Sequence, residues 1–226
     1  MSTFNLKLLA ITAMFVDHAG VMLIPEGTPL YFLFRIIGRV AFPIFAFLIV
    51  EGYFHTRNIS KYMTRLALFA VISEIPYNLL MSGNILYPEG QNVFFTLLAG
   101  LAAIGVYQKF KDKSLYAVLI TLALLFAVEF AHTDYASFGV VTTLLFYTFR
   151  KNRLRAAIIV GALNILYGLL GVITSPAAII QAFAAVSILP IYLYNGEKGP
   201  SLKYFFYAFY PAHILALYII AFLNHA

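Results

Sequence analysis

Asp17, His18, Arg35 and Arg39 stand inside the first two long apolar runs of the chain. A charge at lipid depth is unfavourable by about 2.5–3.5 kcal/mol on insertion scales. A chain that keeps several such groups faces them inward, toward each other or toward a wet cavity. Arg35 and Arg39 are four residues apart, so they share one helix face. Two planar guanidiniums on one face suit a carboxylate, a phosphate or a developing oxyanion. His18 can take or give a proton near neutral pH. The four residues together make a site that binds an anion and moves a proton. The structural alternative is a pair of ion bridges, from the arginines to Asp17 and Glu74, that lock helices together. Asp17 lies about 100° around the helix from His18, so it pairs either with His18 or with an arginine.

Other polar groups mark the same depth or the helix ends. Lys7 precedes His18 by eleven residues, on nearly the same face and about 16 Å away along the axis. That span is similar to an extended pantetheine arm, although a lysine at a helix end also serves as an anchor by snorkelling. Glu51 and His55 are four apart and can pair near one interface. Glu74 precedes Pro76, and His213 follows Pro211. Proline frees a backbone carbonyl and bends a helix, so bends are also expected at Pro43, Pro190 and Pro211. Asn92 opens an apolar segment, where it is a candidate cap. Glu129, His132 and Asp134 read as an exposed polar loop; no HExxH-type pairing supports a metal site. There is no Walker loop, GxGxxG or GxSxG motif.

The elements that position these residues follow from composition. Of 226 residues, 62% are hydrophobic and 11% charged, and the mean hydropathy is +0.89. A soluble domain carries roughly 25% charged residues. The pattern predicts an all-α, polytopic transmembrane helical bundle, with residues 1–226 forming a single integral membrane domain. Apolar segments of membrane-spanning length or nearly so are expected at about 4–24, 30–54, 62–82, 92–109, 114–131, 136–149, 156–174, 177–194 and 205–224. The first carries Asp17 and His18 and lacks a small-residue cleavage pattern, so it reads as a retained helix. Cysteine is absent, which excludes disulfides and thiol chemistry. Thirteen of the fifteen lysines and arginines fall at the start of the first segment or around the connectors after the second, fourth, sixth and eighth. By the positive-inside rule the N-terminus is cytoplasmic. The net charge of +6 is therefore a topology signal and a contact for membrane lipid, not a nucleic-acid footprint.

Several stretches resemble the TraX family of membrane proteins. They are Asp17-His18-Ala19-Gly20, the run Arg39-Val40-Ala41-Phe42-Pro43-Ile44-Phe45-Ala46-Phe47 continuing through Glu51-Gly52-Tyr53-Phe54-His55, then Ser73-Glu74-Ile75-Pro76, Gln91-Asn92-Val93-Phe94 and Phe209-Tyr210-Pro211-Ala212-His213. The resemblance covers essentially the whole chain and implies N-terminal acetylation of a pilin subunit, or of another acceptor in members away from pili. The family is similar in outline to the acyltransferase-3 proteins. Those carry a basic residue, ten intervening positions and a histidine in helix 1, then an arginine pair in a later helix. Lys7 and His18 fit the first pattern, with lysine replacing arginine; Arg35 and Arg39 are four apart instead of three.

The expectation is an acetyltransferase that takes its acyl group from cytoplasmic acetyl-coenzyme A and delivers it to a peptide, sugar or lipid acceptor. His18, Asp17, Arg35 and Arg39 are the expected catalytic residues. Lys7, Arg39, Glu74, Asn92 and His213 are the expected donor-binding residues, with no metal. The alternatives are a proton-coupled transporter of a small anion and a non-catalytic assembly factor for a pilus or surface polymer.

Overall fold

The computed structural model describes residues 1–225. Its helices are α1 (Thr3–Leu23), α2 (Pro29–Gly38), α3 (Ala41–His55), α4 (Ile59–Ser82), α5 (Val93–Lys109), α6 (Ser114–Phe130), α7 (Ala136–Thr148) and α8 (Arg153–Gly171). A 3₁₀ segment (Pro176–Ser187), α9 (Ile188–Tyr192) and α10 (Lys203–His225) complete the chain. No strand occurs among the described residues; Gln91 and Thr133 form an isolated bridge. Every predicted apolar segment is helical. Four combine the length and apolarity to cross a bilayer: Thr3–Leu23, Pro29–His55, Arg153–Gly171 and Lys203–Asn224. Most of the others are shorter apolar helices. The fold is that of an all-α membrane protein, with large apolar side chains such as Phe126, Phe130, Ile173 and Leu223 on its outside.

Helix starts follow local chemistry. The side chains of Ser2, Thr28, Asn58, Asn92 and Asn152 each accept a backbone N–H of the first turn of the helix that follows. Pro29 sits at the first turn of α2, where its missing N–H is no loss. Gly83 ends α4 in the left-handed region at φ 71°.

Two predicted rods are interrupted. The second breaks at Arg39–Val40, between α2 and α3. Pro43 offers no N–H to the Arg39 carbonyl four residues back, and its ring crowds that turn. The bend expected from Pro43 therefore falls on Arg39 itself. The Arg39 N–H is shared between the Arg35 and Ile36 carbonyls, and Val40 donates to Ile37, so the turn tightens toward i→i−3 bonding.

The eighth segment, expected as an α-helix over 177–194, is mostly 3₁₀. Its burial has a period of three: Gln181, Ala184, Ser187 and Pro190 face inward, while Phe183, Val186, Leu189 and Tyr192 face outward. Residues i and i+3 eclipse in a 3₁₀ helix, so every third residue lines one face. That face is small or polar and packs antiparallel on α8. A Cβ on Gly168 would lie 2.8 Å from the Ala182 nitrogen, and one on Gly171 2.7 Å from the Ala178 Cβ. Drawing twelve residues out to about 2.0 Å each lengthens the seventeen residues 176–192 from about 26 Å to about 31 Å. That is close to the ~30 Å thickness of a bilayer's hydrocarbon core.

The chain forms two compact units, Met1–Phe45 with Phe149–Ala226, and Ala46–Thr148, passing between them inside α3 and after α7. In the first unit α2 runs antiparallel to α1, since Asp17 meets Gly38 while Gly20 meets Phe34. α10 runs parallel to α1, as the contacts Phe4–Phe206 and His18–His213 give. That is the relation between two odd-numbered segments of an alternating bundle. The N-terminus of α1 is closed by the loop before α10, whose Glu197 and Lys198 carbonyls accept the N–H groups of Thr3 and Phe4. In the second unit, α5, α6 and α7 pack through Ala99, Ala103, Val128 and Val140.

The closest approach of α1 and α2 is at Gly38, where a Cβ would stand 2.2 Å from the Asp17 side chain. Gly38→Ala is expected to lower stability by about 1–3 kcal/mol, the range for overpacking, in thermal unfolding of the detergent-solubilised protein. Gly105→Ala, where a Cβ meets nothing within 4 Å, should leave it unchanged or raise it.

Candidate active site

The first unit gathers five of the eight predicted site residues around the C-terminal half of α1. Asp17 Oδ2 accepts Arg35 Nη1 at 2.7 Å, and Arg39 Nη2 lies 3.1 Å from both Asp17 oxygens. One carboxylate thus serves two guanidiniums. Asp17 is buried, and the arginine side chains are 24% and 17% exposed. The three groups set one carboxylate against two guanidiniums. Of the two pairings open to Asp17 from sequence, the structure selects the arginines. The geometry is possible because Gly38 has no side chain and because the break after Arg39 turns that residue at the end of α2.

Arg39 is tied further. Its Nη1 lies 3.5 Å from Gln181 Oε1 in the 3₁₀ segment, Gln181 Nε2 donates to Asn164 Oδ1 at 2.7 Å, and Asn164 Nδ2 donates to the Val160 carbonyl at 2.8 Å. A guanidinium only donates, so Gln181 must present its oxygen to Arg39 and its nitrogen to Asn164. The direction of the whole chain, from α2 to α8, is set by the arginine. Neither amide was singled out by sequence reasoning. Both are lone polar residues in apolar segments, and Gln181 lies in register with Ala178, Ala184 and Ser187 at a spacing of three.

His18 faces α10. Its Nδ1 lies 2.7 Å from His213 Nε2, and His213 Nδ1 lies 2.6 Å from the Phe209 carbonyl. Tyr210 packs edge-on to both imidazoles at 5.9 Å, and Phe209 stacks on His213 at 4.7 Å. Lys7 lies eleven residues before His18 on the same unbroken helix, with its Nζ 5.3 Å from the Phe206 ring centroid. Lys198 and Lys203 are close enough for their charges to act on Lys7. A basic end and a histidine end thus lie along one α1–α10 seam.

Glu74 and Asn92 belong to the second unit. Glu74 Oε1 accepts both the backbone N–H (3.2 Å) and the side-chain amide of Asn92. Asn92 also donates to the Ala70 carbonyl at 2.7 Å and caps α5 by accepting the Phe94 N–H at 3.1 Å. Glu74 therefore ties α4 to the start of α5. His55 Nδ1 bonds the Glu51 carbonyl at 2.8 Å, with the Glu51 carboxylate at 4.0 Å. Around His132, the bond Asp134 N–H to Gln91 carbonyl (2.8 Å) and that from Gln91 N–H to the His132 carbonyl (3.1 Å) hold the loop 131–136 in place. Glu129 accepts the Ser137 N–H and hydroxyl.

Removing the shared carboxylate leaves two neighbouring guanidiniums largely out of water. Asp17→Asn is expected to cost about 2–4 kcal/mol, measured by unfolding in detergent. The double variant Asp17→Asn, Arg39→Gln should recover at least about 1 kcal/mol of that loss. Simple addition of the two single effects would mean that the carboxylate does not couple to Arg39.

The family model described as TraX protein matches residues 2–221. The chain is similar to a probable fimbrial assembly protein of Dichelobacter nodosus, 31% identical over 234 residues that take in 96% of this chain and 94% of that protein. It is also similar to an uncharacterized protein of Rickettsia prowazekii (strain Madrid E), 40% identical over 70 residues, which is 31% of this chain and 25% of that protein. No solved structure matches. With its motifs spread from Asp17 to His213 and the family match running almost end to end, the chain belongs to the TraX family.

Proposed function

We propose that this protein is a membrane-embedded acetyltransferase, with its N-terminus on the cytoplasmic side and several passes through a bacterial inner membrane. It moves the acetyl group of acetyl-coenzyme A to an amine or hydroxyl acceptor. The observation that carries this reading is one hydrogen-bonded histidine, His18, on the helix whose preceding residue gathers two guanidiniums. A proton-coupled transporter of a small anion would also use the arginines and a histidine, but gives no reason for the basic end that Lys7, Lys198 and Lys203 form on the same helix seam.

Each residue then has a task. The donor's phosphates lie at the basic end, near Lys7, Lys198 and Lys203, and its thioester reaches toward His18, about 16 Å further along α1. His18 accepts a proton from the acceptor as its nitrogen or oxygen attacks the thioester carbonyl. Arg35 and Arg39 stabilise the oxyanion of the tetrahedral intermediate, and donors of this kind are often worth about 3–4 kcal/mol each. Collapse breaks the carbon–sulfur bond, and the coenzyme A thiolate takes the proton from His18. Asp17 holds the guanidiniums in place. The similarity to a probable fimbrial assembly protein of Dichelobacter nodosus and the pilin acetylation implied by the family resemblance favour a pilus subunit's N-terminal amine as acceptor.

The test is transfer from acetyl-coenzyme A to a synthetic peptide with a free N-terminus, by the purified protein in lipid nanodiscs, followed by mass spectrometry. The wild type should acetylate the peptide, and His18→Ala should lose about 10²–10⁴-fold in turnover while unfolding at a similar temperature. Near-wild-type turnover by His18→Ala would remove His18 from the mechanism.

A further inference from the structure

The histidine pair carries more than proximity. The Phe209 carbonyl oxygen has no proton to give, so His213 Nδ1, 2.6 Å from it, must be the donor. Neutral His213 then has its lone pair on Nε2. That nitrogen faces His18 Nδ1 at 2.7 Å, so His18 Nδ1 must carry the proton of this bond. The two rings are parallel within 1° with centroids 4.9 Å apart. With facing nitrogens 2.7 Å apart, that separation makes the rings coplanar and edge to edge, so the bond lies in the plane of both lone pair and N–H. Phe209 stacked on His213, and Tyr210 set against both imidazoles, keep the rings from turning.

We propose that His213 is a positioning residue that fixes His18 in the tautomer protonated at Nδ1, so that Nε2 is the basic nitrogen of the site. This deepens, and rests on, the acetyltransferase reading above. His18 Nε2 is then the atom that takes the acceptor's proton and later returns it to the leaving thiolate. His213 does not pass that proton on, because its chain ends at a carbonyl. When His18 is protonated, its Nδ1–H still donates to His213, so the imidazolium keeps a hydrogen-bond partner and its orientation through the catalytic cycle. Both ring nitrogens of His213 are engaged within the protein, which favours this role over direct contact with the donor. The logic is that of a base oriented by a third group, with an imidazole in place of a carboxylate. The charged groups beside the pair are Arg35, Arg39 and the Asp17 carboxylate that binds them.

The test uses two readouts on the purified full-length chain. Nitrogen-15 NMR of histidine-labelled protein, with the His18 signals assigned by their loss in His18→Ala, reads the tautomer without any turnover. The wild type should show His18 protonated at Nδ1 and bare at Nε2, and His213→Phe should release it to a mixture rich in the opposite tautomer. A wild-type His18 protonated at Nε2, or an unchanged tautomer in His213→Phe, would overturn the proposal. In the peptide assay, His213→Phe should lower kcat about 10²-fold or more with little change in KM for acetyl-coenzyme A. His213→Gln, whose amide oxygen can accept the same bond, should recover much of the rate. A raised KM at unchanged kcat would instead make His213 a donor contact and overturn the positioning role. Failure of the acetyltransferase reading appears separately, as no acetylation of the peptide by the wild type, whatever tautomer His18 shows.

Discussion

The arrangement of the first unit depends on one carboxylate shared by two guanidiniums. Asp17 is buried and binds both Arg35 and Arg39, two charges that are themselves largely out of water. The rest of the unit is shaped to let the three groups meet. Gly38 removes the side chain that would keep α2 from Asp17. Pro43 breaks the second rod where Arg39 needs a different direction from Arg35. The glycines of α8 let the 3₁₀ segment come close enough for Gln181 to meet both Asn164 and Arg39. Each of these features is locally unfavourable for a regular helix, and each has its reason in the polar cluster.

The chemistry sits on the two ends of the chain. Asp17, His18, Arg35 and Arg39 come from its first 45 residues, while Asn164, Gln181 and His213 come from its last 78. The bond between His18 and His213 joins residues 195 positions apart. The site is therefore completed by the last helix of the chain, and α10 is a wall of it. The parallel run of α1 and α10 gives that wall a basic end at Lys7, Lys198 and Lys203 and a histidine end at His213. This polarity matches a substrate with a phosphate-bearing end and a reactive end.

Much of this was legible in the sequence because charges in apolar runs are conspicuous. Asp17, His18, Arg35 and Arg39 announced themselves, and the apolar runs marked where the helices fall. Less visible were the amides: Gln181 and Asn164 are polar without charge, and their pairing depends on a 3₁₀ geometry that hydropathy does not register. The spacing of three in Ala178, Gln181, Ala184 and Ser187 was the available signal, and it was masked by the assumption of an α-helical period. Partner choice was not legible at all. Whether Asp17 would bond His18 or an arginine, and whether Glu74 would reach an arginine or Asn92, depends on which helices touch. Local spacing does not fix that.

In the proposed reaction the guanidiniums held by Asp17 polarise a thioester carbonyl placed beside His18. Isotope-edited infrared spectroscopy tests it most directly, using acetyl-coenzyme A labelled with carbon-13 at the thioester carbonyl and bound to the protein in nanodiscs. The account predicts that the labelled carbonyl band moves to lower frequency on binding and returns toward its free position in Arg39→Lys, which keeps the charge but loses the planar fork. A bound donor whose carbonyl band stays at its solution frequency would contradict the account.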